Sequence, residues 1–260
     1  MKKYTLTTAL SLMAFFLMAA SAQAHMLWLT PDNTSPKPGE TVTLTIGFGH
    51  HYPQGKMEKA GRLQRVYAVY PDGSEIDCQA LSPSTYTFTP EQKGTYWLYA
   101  AMKPGFVSNT TQGRSLGNKQ TLENVVSCFA FRISAMTPIR CGDGQWRPAK
   151  ADAYELEVIP ADDPAKIAKG DMIAMKVLFK GKPLAGASVI PAAADAEHPQ
   201  GHDQGHDHGS DAVETDADGI ARIKLTSDGP WMFTARHKMP YPNKELCDTF
   251  SYCTSLTFDF

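Results

Sequence analysis

Residues 41–46, Thr-Val-Thr-Leu-Thr-Ile, alternate strictly between polar and apolar side chains. Successive side chains of a β-strand point to opposite faces, so this period of two is typical of a strand with one buried face. Short β-branched or aromatic runs recur at residues 66–70, 95–101 and 128–133. Turn residues separate these runs, and no stretch after residue 24 keeps a helical period for more than a turn or two. The sequence therefore predicts an all-β protein built from antiparallel sandwiches.

A second group of strand segments follows, at residues 154–159, 172–179 and 220–225. Two turn motifs lie among them, Gly-Lys-Pro-Leu-Ala-Gly-Ala-Ser-Val at 181–189 and Thr-Asp-Ala-Asp-Gly at 215–219. Glycine adopts the positive φ that tight turns need, and aspartate hydrogen-bonds the turn backbone. This order predicts a second, smaller antiparallel sandwich.

The first 24 residues have the layout of a secretory signal peptide. Lys2 and Lys3 precede an apolar run, and Ala22-Gln23-Ala24 is a cleavage pattern. The apolar run is shorter than the ~20 residues that a spanning helix needs. We therefore expect a periplasmic mature chain that does not itself span a membrane. The expected parts are a signal peptide at 1–24, an N-terminal sandwich at 25–152 and a C-terminal sandwich at 153–260 with a histidine-rich loop at 192–213.

The charge of the chain argues against a nucleic-acid partner. The formal net charge is −2, and losing Lys2 and Lys3 with the signal peptide makes it −4 (−2 minus 2). Nucleic-acid binding depends on neutralising phosphates, which an acidic chain without a basic patch does poorly. Sequence motifs of hydrolases, P-loop proteins and dinucleotide-binding enzymes are absent too. We expect a binding protein, not an enzyme.

Five cysteines are present, and pairing is the default in an oxidising compartment. Two short-range pairs, Cys128 with Cys141 and Cys247 with Cys253, would leave Cys78 over. Connectivity does not follow from sequence alone, so these pairs are hypotheses.

Four of the eight histidines lie in one polar loop, at His198, His202, His206 and His208. Imidazoles and carboxylates on a flexible Gly/Asp/Gln chain can wrap a borderline divalent ion. The alternative is a solvated insertion without a role. We expect His202, His206 and His208 to collect metal with low affinity.

The other histidines predict a tighter site. After cleavage, His25 would carry a free α-amine beside its imidazole, and the two can chelate one ion. His50 shares the phase of the apolar side chains in the preceding strand unless a glycine introduces a bulge there. His51 would point the other way.

His237 continues the apolar phase of residues 231–235 in the same manner. A lone histidine at such a place is usually structural. Strand-end histidines from both domains, together with His25, could instead meet at a domain interface. The predicted metal ligands are His25, His50, His51 and His237.

The segment 104–123 is long and polar for a sandwich loop. Such loops tend to be functional or mobile. A neutral excursion explains the same composition, and both interpretations stay open.

Several stretches together resemble a family of bacterial periplasmic proteins described as nickel/cobalt-uptake components and often filed as a domain of unknown function. The stretches are HMLWLTP at 25–31, KPGETVTLTIGFGHH at 37–51, ELEVIPADDP at 155–164, VLFKGKPLAGASV at 177–189, TDADG at 215–219 and WMFTARH at 231–237. The second-half motifs also resemble the carboxypeptidase-regulatory or transthyretin-like sandwich. The fold expected is two antiparallel β-sandwiches, Ig-like or transthyretin-like.

The resemblance implies capture of Ni²⁺ or Co²⁺ for a membrane importer. The residues themselves leave Cu and Zn as further candidates for the bound metal. Neutral imidazole ligands imply that binding weakens as the pH falls toward ~6. One alternative is a copper protein, chaperone or oxidase, that chelates Cu(II) through an N-terminal histidine. Another is a non-metal adhesin or carbohydrate-binding module. The sequence does not decide the oligomeric state.

Overall fold

The computed structural model describes residues 25–149, 153–195 and 212–260. These residues form 18 β-strands and a single turn of 3₁₀ helix at Pro164–Lys166. The strands are β1 Met26–Pro31, β2 Val42–Gly49, β3 Leu63–Val69, β4 Glu75–Asp77, β5 Gln79–Ser82, β6 Thr85–Phe88, β7 Gly94–Met102, β8 Gly105–Thr110, β9 Gly113–Leu116, β10 Val125–Cys141, β11 Leu156–Pro160, β12 Met172–Phe179, β13 Lys182–Pro183, β14 Ser188–Ala193, β15 Val213–Glu214, β16 Ile220–Lys224, β17 Pro230–Pro240 and β18 Thr249–Asp259.

The strands make three sheets. The N-terminal sheet has the order β1-β2-β6-β5. The central sheet runs β15-β14-β17-β18-β10-β7-β3-β4, with β8 added to β10 and β9 added to β8. The C-terminal sheet joins β11, β12 and β13, and β16 pairs with β12. The predicted all-β architecture is confirmed.

The central sheet is the middle layer of three. Leu98 and Ala100 on β7 point toward Leu44 of the N-terminal sheet and join one apolar core. Trp97 and Tyr99 on the same strand point the opposite way and join a second core with the C-terminal sheet. Because both faces of β7 are covered, all nine of its residues are buried.

The two predicted sandwiches share this central sheet. β10 pairs with β18 in parallel, from Phe129 opposite Thr249 to Met136 opposite Leu256. A sheet therefore continues from the first predicted domain into the second. The limits 25–152 and 153–260 stay predictions, since sheet pairing alone does not define a domain.

Turn chemistry in the second half follows the sequence prediction. Gly186 and Gly219 have φ values of 67° and 74°. Asp216 Oδ1 accepts hydrogen bonds from the backbone N–H groups of Asp218 and Ile220, both at 3.0 Å. The segment 104–123 differs from the expected loop, because most of it folds into the hairpin β8–β9 beside β10.

The predicted disulfide pairs are wrong. Cys128 is bonded to Cys247, and Cys78, Cys141 and Cys253 are free and buried. Cys128 and Cys141 lie on the same extended strand β10. A strand rises by about 3.3 Å per residue, so these two cysteines are much too far apart to form a disulfide. The actual bond links β10 to the loop before β18.

None of the helical structure in the described part of the chain has the length and apolar character that crossing a membrane requires.

Candidate functional site

The pairing of β1 with β2 brings two of the predicted histidines together. The register sets Met26 opposite Gly49, so one further residue places His25 opposite His50. Their ring centroids are 4.0 Å apart with an interplanar angle of 44°. His25 also stacks on Phe48, at 4.8 Å and 14°. Opposed and diagonal cross-strand neighbours touch in this way across an antiparallel pair.

Strand β1 next to His25 is anchored to the central sheet by side-chain hydrogen bonds. Thr234 Oγ1 donates to Met26 Sδ at 3.5 Å. The hydroxyls of Ser255 and Thr257 on β18 donate to the carbonyls of Leu27 and Leu29. Rigid strand pairing and buried anchors therefore fix the position from which the His25 side chain extends.

The surroundings of His25 favour its neutral form. Desolvation lowers the pKa of the His25 imidazole below its ordinary value of 6.5, and the charges of His50, Arg114 and Arg62 lower the pKa further. A neutral imidazole has a free nitrogen lone pair at neutral pH, which is the form that binds metal ions.

A cavity of about 80 Å³ opens beside His25 at the end of the N-terminal sheet. The central sheet and the hairpin β8–β9 supply most of its walls. The lining is mainly apolar and includes Phe48, Val107, Leu116, Phe129, Phe131 and Ile133.

Two arginines flank this cavity, and no sequence pattern had pointed to either. The Arg62 guanidinium lies 4.8 Å from the Phe48 ring centroid, and that of Arg114 lies 5.2 Å from the Phe129 ring centroid. Within the described ranges, neither has a carboxylate oxygen within 4.0 Å. Arg114 lies in the segment 104–123. The sequence did not predict that this segment forms a hairpin beside β10, so it could not place Arg114 near His25.

His237 lies away from the His25–His50 pair. It is opposite Tyr252 on β18 and contacts Phe179 of the C-terminal sheet, with ring centroids 4.6 Å apart. Tyr252 belongs to the core between the central and C-terminal sheets, whereas the next residue, Cys253, lines the cavity on the opposite face. Desolvation lowers the pKa of His237 as well. His51 is exposed, on the turn after β2.

The loop histidines His198, His202, His206 and His208 lie outside the described residues. Among the residues that are described, no three His, Cys, Asp or Glu side chains come together in a way that could hold a metal. The geometry therefore brings together two imidazoles, those of His25 and His50, and separates them from His237.

The sequence matches one family model over most of its length. That model is described as a domain of unknown function (DUF4198), and the match covers residues 22–239. No curated protein matches the sequence.

Several solved structures are similar at low sequence identity. The D0-D1 domain of intimin is 15% identical, with 89% of this chain and 97% of that chain covered and a TM-score of 0.22. The fibronectin(III)-like modules of Clostridium thermocellum CbhA are 12% identical, with coverages of 88% and 93% and a TM-score of 0.19. A Salmonella alpha-2-macroglobulin mutant is 15% identical, with coverages of 96% and 16% and a TM-score of 0.26. These TM-scores are too low to support a conclusion about fold or function.

Proposed function

The chain belongs to the DUF4198 family, and we propose that this member is a binding protein, not an enzyme, which holds a divalent transition-metal ion at His25 and His50. The observation that supports the proposal is the 4.0 Å approach of these two imidazoles at the expected start of the mature chain. Both side chains lie at the surface end of β1 and β2, so rotation about their side-chain bonds can aim a nitrogen of each at one ion.

Cleavage after Ala24 would add a third nitrogen to this pair. The free α-amine of His25 would have a pKa near ~8 and loses its proton to a metal at low cost. One amine and two imidazoles form a nitrogen donor set that suits Ni²⁺, Co²⁺, Cu²⁺ and Zn²⁺. The metal ion is the cargo of such a protein, bound at one place and released at another.

The finer proposal is nickel or cobalt uptake from the periplasm. The cleavage pattern at residues 22–24 supports export, and the resemblance to nickel/cobalt-uptake components supports delivery to a membrane importer. In this scheme His202, His206 and His208 collect ions weakly and raise their concentration near the folded site. His51 would be an auxiliary ligand at most, and His237 would serve packing against Phe179.

Copper is the second candidate. A three-nitrogen set that contains an N-terminal amine favours the tetragonal geometry of Cu(II). Copper also outcompetes nickel and cobalt at most nitrogen sites, so affinity alone does not identify the physiological metal. A copper role predicts that the protein recovered from cells carries copper under metal-limited growth.

The test is a calorimetric titration of the exported protein, after mass spectrometry has established its N-terminal residue. Ni²⁺, Co²⁺, Cu²⁺ and Zn²⁺ are titrated into the wild type and into His50→Ala. His237→Ala is the matched control, because it removes an imidazole on the other face of the central sheet. A third variant lacks residues 197–209.

We expect one stoichiometric site that survives loop deletion and His237→Ala but is lost in His50→Ala. Binding that disappears with residues 197–209 alone would move the site to the loop. Absence of metal binding in every variant would contradict the proposal and favour the adhesin or carbohydrate-binding class.

A further inference from the structure

The cavity beside His25 combines two features that a site for a bare metal ion does not need. Its walls are largely apolar, with Val107, Phe131 and Ile133 among the lining residues. Its rim carries Arg62 and Arg114, whose charges act on His25. Neither guanidinium is neutralised by a carboxylate in the part of the chain that the structure describes.

These two charges oppose a bare dication. A hydrated Ni²⁺ beside His25 would be repelled by both guanidinium groups, and partial burial weakens the screening by water. A metal ion that arrives with a carboxylate ligand has a lower net charge. The carboxylate can then accept charge-assisted hydrogen bonds from arginine, whose planar guanidinium suits that geometry.

The coordination sphere also has room for an outside ligand. His25 and His50 supply two imidazoles, and no third His, Cys, Asp or Glu joins them among the described residues. Even with the His25 amine as a third donor, a five- or six-coordinate ion would keep about two or three open positions. A bidentate ligand from solution can fill two of them.

We propose that this site takes up its metal as a complex with a small α-amino carboxylate that has an apolar side chain. This inference rests on the proposed function and names its substrate class. The amine and carboxylate of the ligand chelate the ion at His25 and His50, and the carboxylate lies within reach of Arg62 and Arg114. The side chain enters the cavity, whose 80 Å³ has room for roughly three waters or one aliphatic group.

The experiment titrates L-leucine into the nickel-loaded full protein. Glycine is the control without an apolar side chain, and L-leucinamide is the control without a carboxylate. We expect leucine to bind about tenfold more tightly than either control, the scale of one charge-assisted hydrogen bond or one buried aliphatic group.

Four variants separate the contributions. Arg114→Gln and Arg62→Gln should each weaken leucine binding about tenfold while nickel binding without leucine stays equal or tightens, because a repelling charge is gone. Val107→Phe fills the cavity and should abolish the preference for leucine over glycine. Arg222→Gln, an exposed arginine on β16 of the C-terminal sheet, should change nothing.

The outcomes separate this inference from the proposed function. Protein that takes up no nickel, alone or with leucine, overturns the proposed function. Stoichiometric nickel binding with equal affinities for leucine, glycine and leucinamide overturns the inference alone. Arginine variants that lose nickel binding in the absence of leucine overturn it as well, since they assign the arginines to the metal site itself.

Discussion

At the scale of single residues, the side chain of Trp28 on β1 requires a glycine at position 47. The indole of Trp28, opposite Gly47 in the β1–β2 register, occupies the space that a Cβ at Gly47 would need. We expect Gly47→Ala to lower the free energy of unfolding by about 1–3 kcal/mol, as overpacking does. Urea denaturation measures this. Gly49→Ala is the control, because its Cβ would make contacts of 3.5 Å and 3.6 Å, which are ordinary; equal losses in both variants would contradict the steric explanation.

The two described histidines with shifted pKa values predict how stability depends on pH. Desolvation lowers the pKa of both His25 and His237 below 6.5 in the folded protein. Below pH 6.5 the unfolded chain therefore binds more protons than the folded one, and stability falls as the pH decreases through that window. We expect the Tm of the metal-free protein to fall from pH 7 to pH 5. The double variant His25→Gln, His237→Gln should fall less; an equal fall would assign the effect to other groups.

At the residue scale, a local period in the sequence predicted strand phase, while the ligand roles of the histidines stay predictions. His50 continues the phase of Ile46 and Phe48, and the continuous β1–β2 register has no bulge at Gly47 or Gly49. Arg62 and Arg114 could not be found this way, because no local pattern links them to His25. His237 lies on the same face of β17 as Phe233, as the period predicted. The period does not show that the C-terminal sheet covers this face, so the sequence could not separate His237 from His25.

At the scale of elements, β1 is an edge strand, and side-chain hydroxyls from another sheet hydrogen-bond to backbone carbonyls that no strand pairs with. Its carbonyls at Leu27 and Leu29 accept hydrogen bonds from Ser255 and Thr257 of β18 in the central sheet. Edge strands that keep unpaired backbone groups invite pairing with other chains. The hydroxyls satisfy these groups and fix the distance between two layers.

Thr257→Val tests this connection. The variant keeps the shape of the side chain but leaves the buried carbonyl of Leu29 without its 2.6 Å donor. We expect a loss of about 1–3 kcal/mol in the free energy of unfolding. Thr43→Val, at a half-buried position of β2, should change it by no more than about 0.5 kcal/mol. A similar small change in both variants would show that the hydroxyl does not stabilise the layer contact.

The sequence predicts where strands lie, because burial of alternate side chains is a local property. It does not predict which strands pair with each other. Alternation in residues 41–46 and the aromatic run at 95–101 report burial on a pleated surface, which is a local property. The hairpin β8–β9 lacks that signal, since β9 is exposed throughout. Pairing of β10 with β18 depends on contacts between distant parts of the chain, which composition and period do not encode.

At the scale of the whole molecule, one covalent bond closes a loop of nearly half the chain. Cys128 and Cys247 are 119 residues apart in sequence. Cross-linking so long a loop reduces the entropy of the unfolded chain, and we expect Cys128→Ala with Cys247→Ala to cost about 3–5 kcal/mol of unfolding free energy. Guanidinium denaturation measures the loss. Reductant should bring the wild type to the stability of the double variant and leave that variant unchanged; a wild type that is insensitive to reductant would contradict the bond's role.

The sharing of the central sheet between two sandwiches also has a kinetic consequence. β18 begins 108 residues after β10 ends (249 minus 141), yet the two strands are direct neighbours. While the chain is being synthesised from its N-terminus, β10 emerges long before its partner and presents an open edge in the meantime. Contacts of such long sequence separation form slowly. The nascent chain is therefore expected to depend on chaperones that shield this edge. The yield of folded protein should be limited more by the time before β18 is synthesised and pairs with β10 than by the free energy of unfolding of the finished protein.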